Sequence, residues 1–166
     1  MAKLVDARDL KSLAGSFRHA GSSPAPGTIE WDSILRMALR VVRLGTPRAP
    51  GEGLRLGTVR RLPRGVRKTD YAKRDYFDLW FPELAPSAAL LAFARAQPLE
   101  GRRWTAFAKR YRREMDVPGA RRMIELLARL SHRVDLSVGC YCEDESHCHR
   151  SLLRKLLVDH GAKIAA

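Results

Sequence analysis

Apolar residues recur along this chain with two different periods. Leu39-Arg40-Val41-Val42-Arg43-Leu44 is short and β-branched, and Gly45, Pro47 and Pro50 stop it, so it predicts a strand. Leu54 to Leu62 holds a second, less regular strand candidate. Val134-Asp135-Leu136-Ser137-Val138 alternates apolar and polar residues and predicts a third. Between the second and third strands the period becomes helical. Leu90, Leu91 and Ala94 share a face after a start at Pro86 or Ser87. Trp104, Phe107, Ala108, Tyr111 and Met115 follow the i, i+3, i+4, i+7, i+11 spacing of an amphipathic helix. Ala120, Met123, Ile124, Leu127 and Leu130 form a further stripe behind Pro118. Leu152, Leu153, Leu156 and Leu157 mark a last helix directly after the third strand. Tyr71 to Pro86 carries Tyr71, Tyr76, Phe77, Trp80 and Phe81, which are expected in the core because large aromatic side chains dominate burial. The pattern predicts an α/β fold: a single compact domain over residues 37–166, with a small, mainly parallel sheet flanked by helices.

Residues 1–36 do not share these periods. Ser22-Ser23-Pro24-Ala25-Pro26-Gly27 is loop composition, and no amphipathic repeat holds across the segment. Gly21-Ser22-Ser23-Pro24 and Asp9-Leu10-Lys11-Ser12 are sequences that the T-arm and a leucine anticodon arm of a transfer RNA gene encode, in the right order. The segment is therefore read as a spurious or disordered N-terminal extension, a translated transfer RNA gene, with Met37 as the expected initiator. Codons incompatible with those arms would remove this reading.

Composition narrows the class. The chain has 166 residues, of which 45% are hydrophobic and 30% charged, as in a globular domain rather than a disordered chain. No apolar run approaches a membrane span, and no secretory signal is present, so no membrane partner is expected. Three clustered cysteines leave one over from any pairing, which points to a reduced, cytoplasmic protein. The net charge is +13, and between Met37 and Arg74 eleven Lys and Arg face only Glu52 and Asp70. Arg60, Arg61, Arg64 and Arg67 crowd a loop broken by Pro63 and Gly65. Guanidinium groups in such a loop suit planar contacts with phosphate, so the expected partner is a small anion or a nucleic acid.

The densest chemistry lies in Val138-Gly139-Cys140-Tyr141-Cys142-Glu143-Asp144-Glu145-Ser146-His147-Cys148-His149-Arg150. This is a strand end, a polar loop and a helix start, which is where open α/β sheets bind ligands. Three readings are open. Cys140, Cys142 and Cys148 with His149 (or His147) could ligate a tetrahedral metal, although all of them fall within ten residues. Alternatively, Cys148 beside His149 and Arg150 at a helix N-terminus could be a reactive thiolate. Thirdly, the helix-start amides and Arg150 could hold a phosphate without covalent chemistry. The cysteine-to-arginine spacing differs from the five residues of the phosphatase and sulfurtransferase loops, which argues against that cradle. No glycine-rich phosphate loop, internal repeat or helix-turn-helix is present.

Three segments resemble the domain-of-unknown-function family DUF488, in its YeaO-like group. They are Arg61-Leu62-Pro63-Arg64-Gly65-Val66-Arg67-Lys68; Asp78-Leu79-Trp80 with Glu83-Leu84-Ala85-Pro86-Ser87; and Cys140 with Cys148-His149-Arg150. Leu62 stands where many relatives have tryptophan, and Cys142 is not a position that the general pattern requires. The resemblance covers about residues 37–160. It implies a compact α/β fold in which the Pro-Arg-Gly loop and the Cys-His-Arg loop meet, and it implies no particular activity.

These readings converge on a site joining Arg61, Arg64 and Arg150 as anion-binding groups with Cys148, His149 and Cys140 as catalytic groups. The leading expectation is an enzyme acting on a phosphorylated or nucleotide-like anion, with Cys148 as nucleophile or redox thiol and His149 as acid or base. The alternatives are a basic nucleic-acid-binding protein without catalysis and a zinc-stapled structural domain. The sequence leaves the substrate, any cofactor and the oligomeric state open.

Overall fold

The computed structural model describes residues 37–165, and the expectations for residues 1–36 lie outside them. The predicted strands form as β1 (Leu39–Arg43), β2 (Leu54–Gly57) and β4 (Leu136–Cys140). A two-residue strand, β3 (Leu79–Trp80), was not legible in the sequence. The sheet order is β1-β4-β2-β3 and every pairing is parallel. β4 thus lies between the first two strands, with Val138 beside Val41 on one side and Leu56 on the other. All five of its residues are buried, as expected of a central parallel strand.

Four helices complete the fold: α1 (Ala88–Ala96), α2 (Gly101–Met115), α3 (Pro118–Leu130) and α4 (His149–Asp159). Ser87 caps α1 by accepting the Leu90 N–H at 3.1 Å, and Pro118 opens α3 where an amide hydrogen is not needed. Leu90 of α1, Phe107 and Tyr111 of α2, Ile124 and Leu127 of α3, and Leu153 and Leu157 of α4 join one core with Leu39, Leu56, Leu136 and Val138. The helical stripes therefore meet the face of the sheet formed by alternate strand residues. Each such side chain, fully buried, contributes about 1.5–3 kcal/mol.

The opposite face carries the intervening residues Arg55, Gly57, Ser137 and Gly139, and loops cover it. A side chain at Gly139 would lie 2.5 Å from Leu44, and one at Gly57 would lie 2.5 Å from Phe77. Small residues on the sheet let these loop side chains seat directly on the backbone. Leu44, Val59, Tyr71 and Phe77 form a second apolar cluster, which Cys140 and Cys148 join at the carboxyl end of the sheet. The aromatic segment thus supplies core through Tyr71 and Phe77, but Trp80 is 41% exposed, contrary to expectation. Trp80 sits on the outermost strand, and its indole N–H donates to the Val59 carbonyl at 2.7 Å.

A buried ion pair joins this second face together. Arg55 and Glu52 are 0% and 2% exposed in their side chains. The Arg55 guanidinium donates to both Glu52 oxygens and to the carbonyls of Thr46 and Asp75. Glu52 also accepts from Ser137 Oγ on β4 and from the Ala49 amide. One carboxylate thereby ties together β2, β4 and the loop after β1. At the other edge, residues 163–165 run beside β1, with Leu39 donating to Lys163 and accepting from Ala165. No helix among the described residues is long and apolar enough to cross a membrane.

Candidate functional site

Cys140 is the last residue of the central strand. Cys148 is the N-cap of α4, with extended backbone angles and a sulfur that accepts the Arg150 amide at 3.5 Å. The loop between them carries Cys142 back over both. The three sulfurs lie within 4.8 Å of one another, and Cys140 Sγ is 3.6 Å from Cys142 Sγ. No disulfide joins them; Cys140 and Cys148 are buried, and Cys142 is exposed. Cys142, which the sequence placed only among possible metal ligands, is thus the most exposed of the three cysteines.

His149 follows directly in α4 and is 5% exposed. Its Nε2 lies 2.8 Å from the Thr58 carbonyl. That oxygen only accepts, so Nε2 carries the proton and Nδ1 keeps its lone pair. Nδ1 lies 3.7 Å from Cys148 Sγ. The carbonyl is well placed because Thr58 is itself anchored: its amide and hydroxyl both donate to Gly139 O, at 3.0 and 2.9 Å. Burial pushes the imidazole pKa down to about 4, against the opposing pull of the Thr58 hydrogen bond, so His149 is neutral near pH 7.

The thiols share their charge unequally. Hydrogen bonds from Cys140 and Cys148 push the Cys142 pKa well down, with Arg150 adding positive charge. Cys140 moves the opposite way, because its hydrogen bond to Cys142 and its burial favour the neutral thiol.

Arg150 does not face the cavity as an open anion clamp. It is 3% exposed and donates to the Cys142 carbonyl at 2.8 Å and to that of Glu143 at 3.4 Å. Its Nε is buried without a hydrogen-bond partner, and no carboxylate among the described residues pairs with it. Its role in this geometry is to pin the cysteine loop and to place a positive charge behind the sulfurs. The tip of the loop is held by its own contacts. Asp144 accepts from Ser146 and His147, and these bonds hold its carboxyl at about 2.

The basic loop meets this cluster. A cavity of about 640 Å³ is lined by Arg60, Arg61, Leu62, Pro63 and Arg64 on one side and by Cys140, Cys142, Cys148 and His149 on another. Leu91, Ala94 and Arg95 of α1, Phe107 of α2 and the rings of Tyr76 and Tyr141 complete its wall. Arg60 is committed to the carbonyls of Ala85 and Pro86, at 2.9 and 3.1 Å. Arg61, Arg64 and Arg95 are exposed at the cavity. Of the six site residues expected, five line one cavity and Arg150 stands behind it. Arg95 was not singled out in the sequence, and Tyr76 and Phe107 were expected only as core. Each sits in a segment that reads as scaffold, and only the packing of α1, α2 and the Tyr71–Phe77 loop against the sheet brings them here.

The fold and this site define a small parallel α/β domain with a cysteine–histidine loop at the carboxyl end of its central strand. The chain belongs to the DUF488 family. The family model that matches is DUF488-N3a, described as the active DUF488-N3 subclade, and it covers residues 39–161. No curated protein and no solved structure matches the chain.

Proposed function

We propose that the protein is a small enzyme that binds a phosphorylated or nucleotide-like anion in this cavity. The anion's charge lies against Arg61, Arg64 and Arg95, and its reacting end lies over the cysteine cluster. The observation that supports this reading is the meeting of the arginine loop and the sulfur floor in one cavity. Its volume falls within the several hundred Å³ usual for small-molecule sites. Its walls are mostly apolar and aromatic, as a nucleobase requires, and its exposed cations are Arg61 and Arg64 of the loop with Arg95 of α1. His149, neutral and with its Nδ1 lone pair facing Cys148 at 3.7 Å, offers a hydrogen-bond acceptor at the floor. In the metal-free protein Cys142, the exposed cysteine, is the candidate for the nucleophile or redox role that the sequence alone assigned to Cys148.

Calorimetric titration of inorganic phosphate, pyrophosphate and nucleoside mono- and diphosphates into the reduced protein tests the reading. An exposed arginine–phosphate contact contributes up to about 1 kcal/mol. The double variant Arg61→Ala, Arg64→Ala should therefore weaken the tightest binder by up to about 30-fold. Its unfolding midpoint should not move, because neither guanidinium has a hydrogen-bond partner among the described residues. Failure of every ligand in the series to bind below millimolar concentration would sink the reading, and so would equal affinity in the double variant.

A further inference from the structure

We propose that Cys140, Cys142 and Cys148 form a three-sulfur site for a thiophilic divalent cation, zinc foremost, with a fourth coordination position open to the cavity. The site is the floor of the pocket described above, and it rests on that reading only for what the metal would act upon.

Three observations carry the assignment. The first is spacing. Zinc–sulfur bonds of about 2.3 Å in a tetrahedron place sulfurs about 3.8 Å apart. The three sulfurs here lie within 4.8 Å of one another, and the Cys140–Cys142 pair is at 3.6 Å. Small side-chain rotations would close the triangle on an ion. A strand end, the loop that follows it and the cap of the next helix produce this convergence.

The second is charge. Arg150 is buried and has no carboxylate partner among the described residues. A buried guanidinium needs a nearby negative charge. Three thiolates around a divalent cation carry a net charge of one negative unit, which Arg150 neutralises. Any thiol still protonated passes its proton to solvent on binding, so the bound site and Arg150 together are uncharged.

The third is the environment of the sulfurs. Cys148 Sγ accepts the Arg150 amide, a contact that stabilises a thiolate ligand. His149 is fixed by Thr58 with its lone pair toward Cys148, but it lies outside the group of mutually close ligand atoms. That leaves three protein ligands and one position toward the cavity, which all three cysteines line. Three protein ligands with an open position are the arrangement of a catalytic rather than a structural zinc. The chemical class that would fill the fourth position is water or an oxygen of the bound anion.

The test uses the full chain, reduced, stripped of metal and kept anaerobic, titrated with Co²⁺. The expected result is one Co²⁺ per chain, with intense sulfur-to-cobalt charge-transfer absorption and tetrahedral visible bands that Zn²⁺ abolishes. Cys142→Ser should weaken the metal by more than the roughly 10–100-fold that outer-sphere partners are worth. Cys142 is exposed, so circular dichroism should show the variant folded. Absence of a one-to-one cobalt spectrum in the wild-type protein overturns the proposal regardless of how any variant folds. An unchanged affinity in Cys142→Ser also overturns it. Nucleotide binding by the metal-stripped protein is measured separately, so metal without nucleotide, or nucleotide without metal, shows which of the two readings has failed.

Discussion

Replacing Glu52 by alanine is expected to destabilise the domain by about 3–5 kcal/mol, the usual cost of removing one partner from a buried ion pair. The loss would leave the Arg55 guanidinium, 0% exposed, without its counter-charge in the interior. It would also strip Ser137 Oγ and the Ala49 amide of their acceptor. Most domains have only about 5–15 kcal/mol of stability, so the variant should be largely unfolded in moderate urea. The same carboxylate sets an acid limit. Burial alone would raise its pKa, but hydrogen bonds from Arg55, Ser137 and the Ala49 amide outweigh burial and hold it at about 2. The folded pKa is depressed, so the stabilisation is present above the ordinary carboxylate range and is lost as pH falls toward 2. Urea melts from pH 7 to 3 should show this loss in the wild type and a shallower pH dependence in Glu52→Gln. A cost below about 1 kcal/mol for Glu52→Ala would show that the pair is not the clamp described here.

Arg150→Ala is the second large effect, at about 3 kcal/mol. Two hydrogen bonds from a charged donor to the Cys142 and Glu143 carbonyls are lost, at about 1.5 kcal/mol or more each. The damage should be local, because Arg150 contacts the loop rather than the main core. Hydrogen exchange is therefore expected to rise in residues 141–148 well beyond any rise in β1 or α3. Uniform loss of protection across the domain would mean that Arg150 acts on the whole core instead of holding the loop.

The strands and helices were legible because their periods are strong. Trp104, Phe107, Tyr111 and Met115 needed no partner to declare a helix face. β3 was not legible: two residues carry no period, and Trp80 there looks like any core aromatic until the edge position is known. The predicted span of β4 ended at Val138, two residues early, because Gly139 and Cys140 read as loop chemistry. The candidate site divided in the same way. Its local part, the Cys-His-Arg loop, could be read from spacing and residue type. The meeting of that loop with Arg61 and Arg64 rested on resemblance alone, since it depends on which strand lies between which. Arg150 looked like an anion ligand in the sequence because its burial, and its bonds to the Cys142 and Glu143 carbonyls, arise only once the loop folds back over α4.

The central claim is that the arginine rim and the sulfur floor serve one ligand. It is tested most directly by the rate at which iodoacetamide alkylates Cys142 in the reduced, metal-stripped protein, with and without the tightest-binding nucleotide. A ligand seated against Arg61 and Arg64 with its reacting end over the cluster should slow alkylation in proportion to occupancy, and the Arg61→Ala, Arg64→Ala variant should need correspondingly more nucleotide for the same protection. Full nucleotide binding with an unchanged alkylation rate would place the ligand elsewhere and contradict the account.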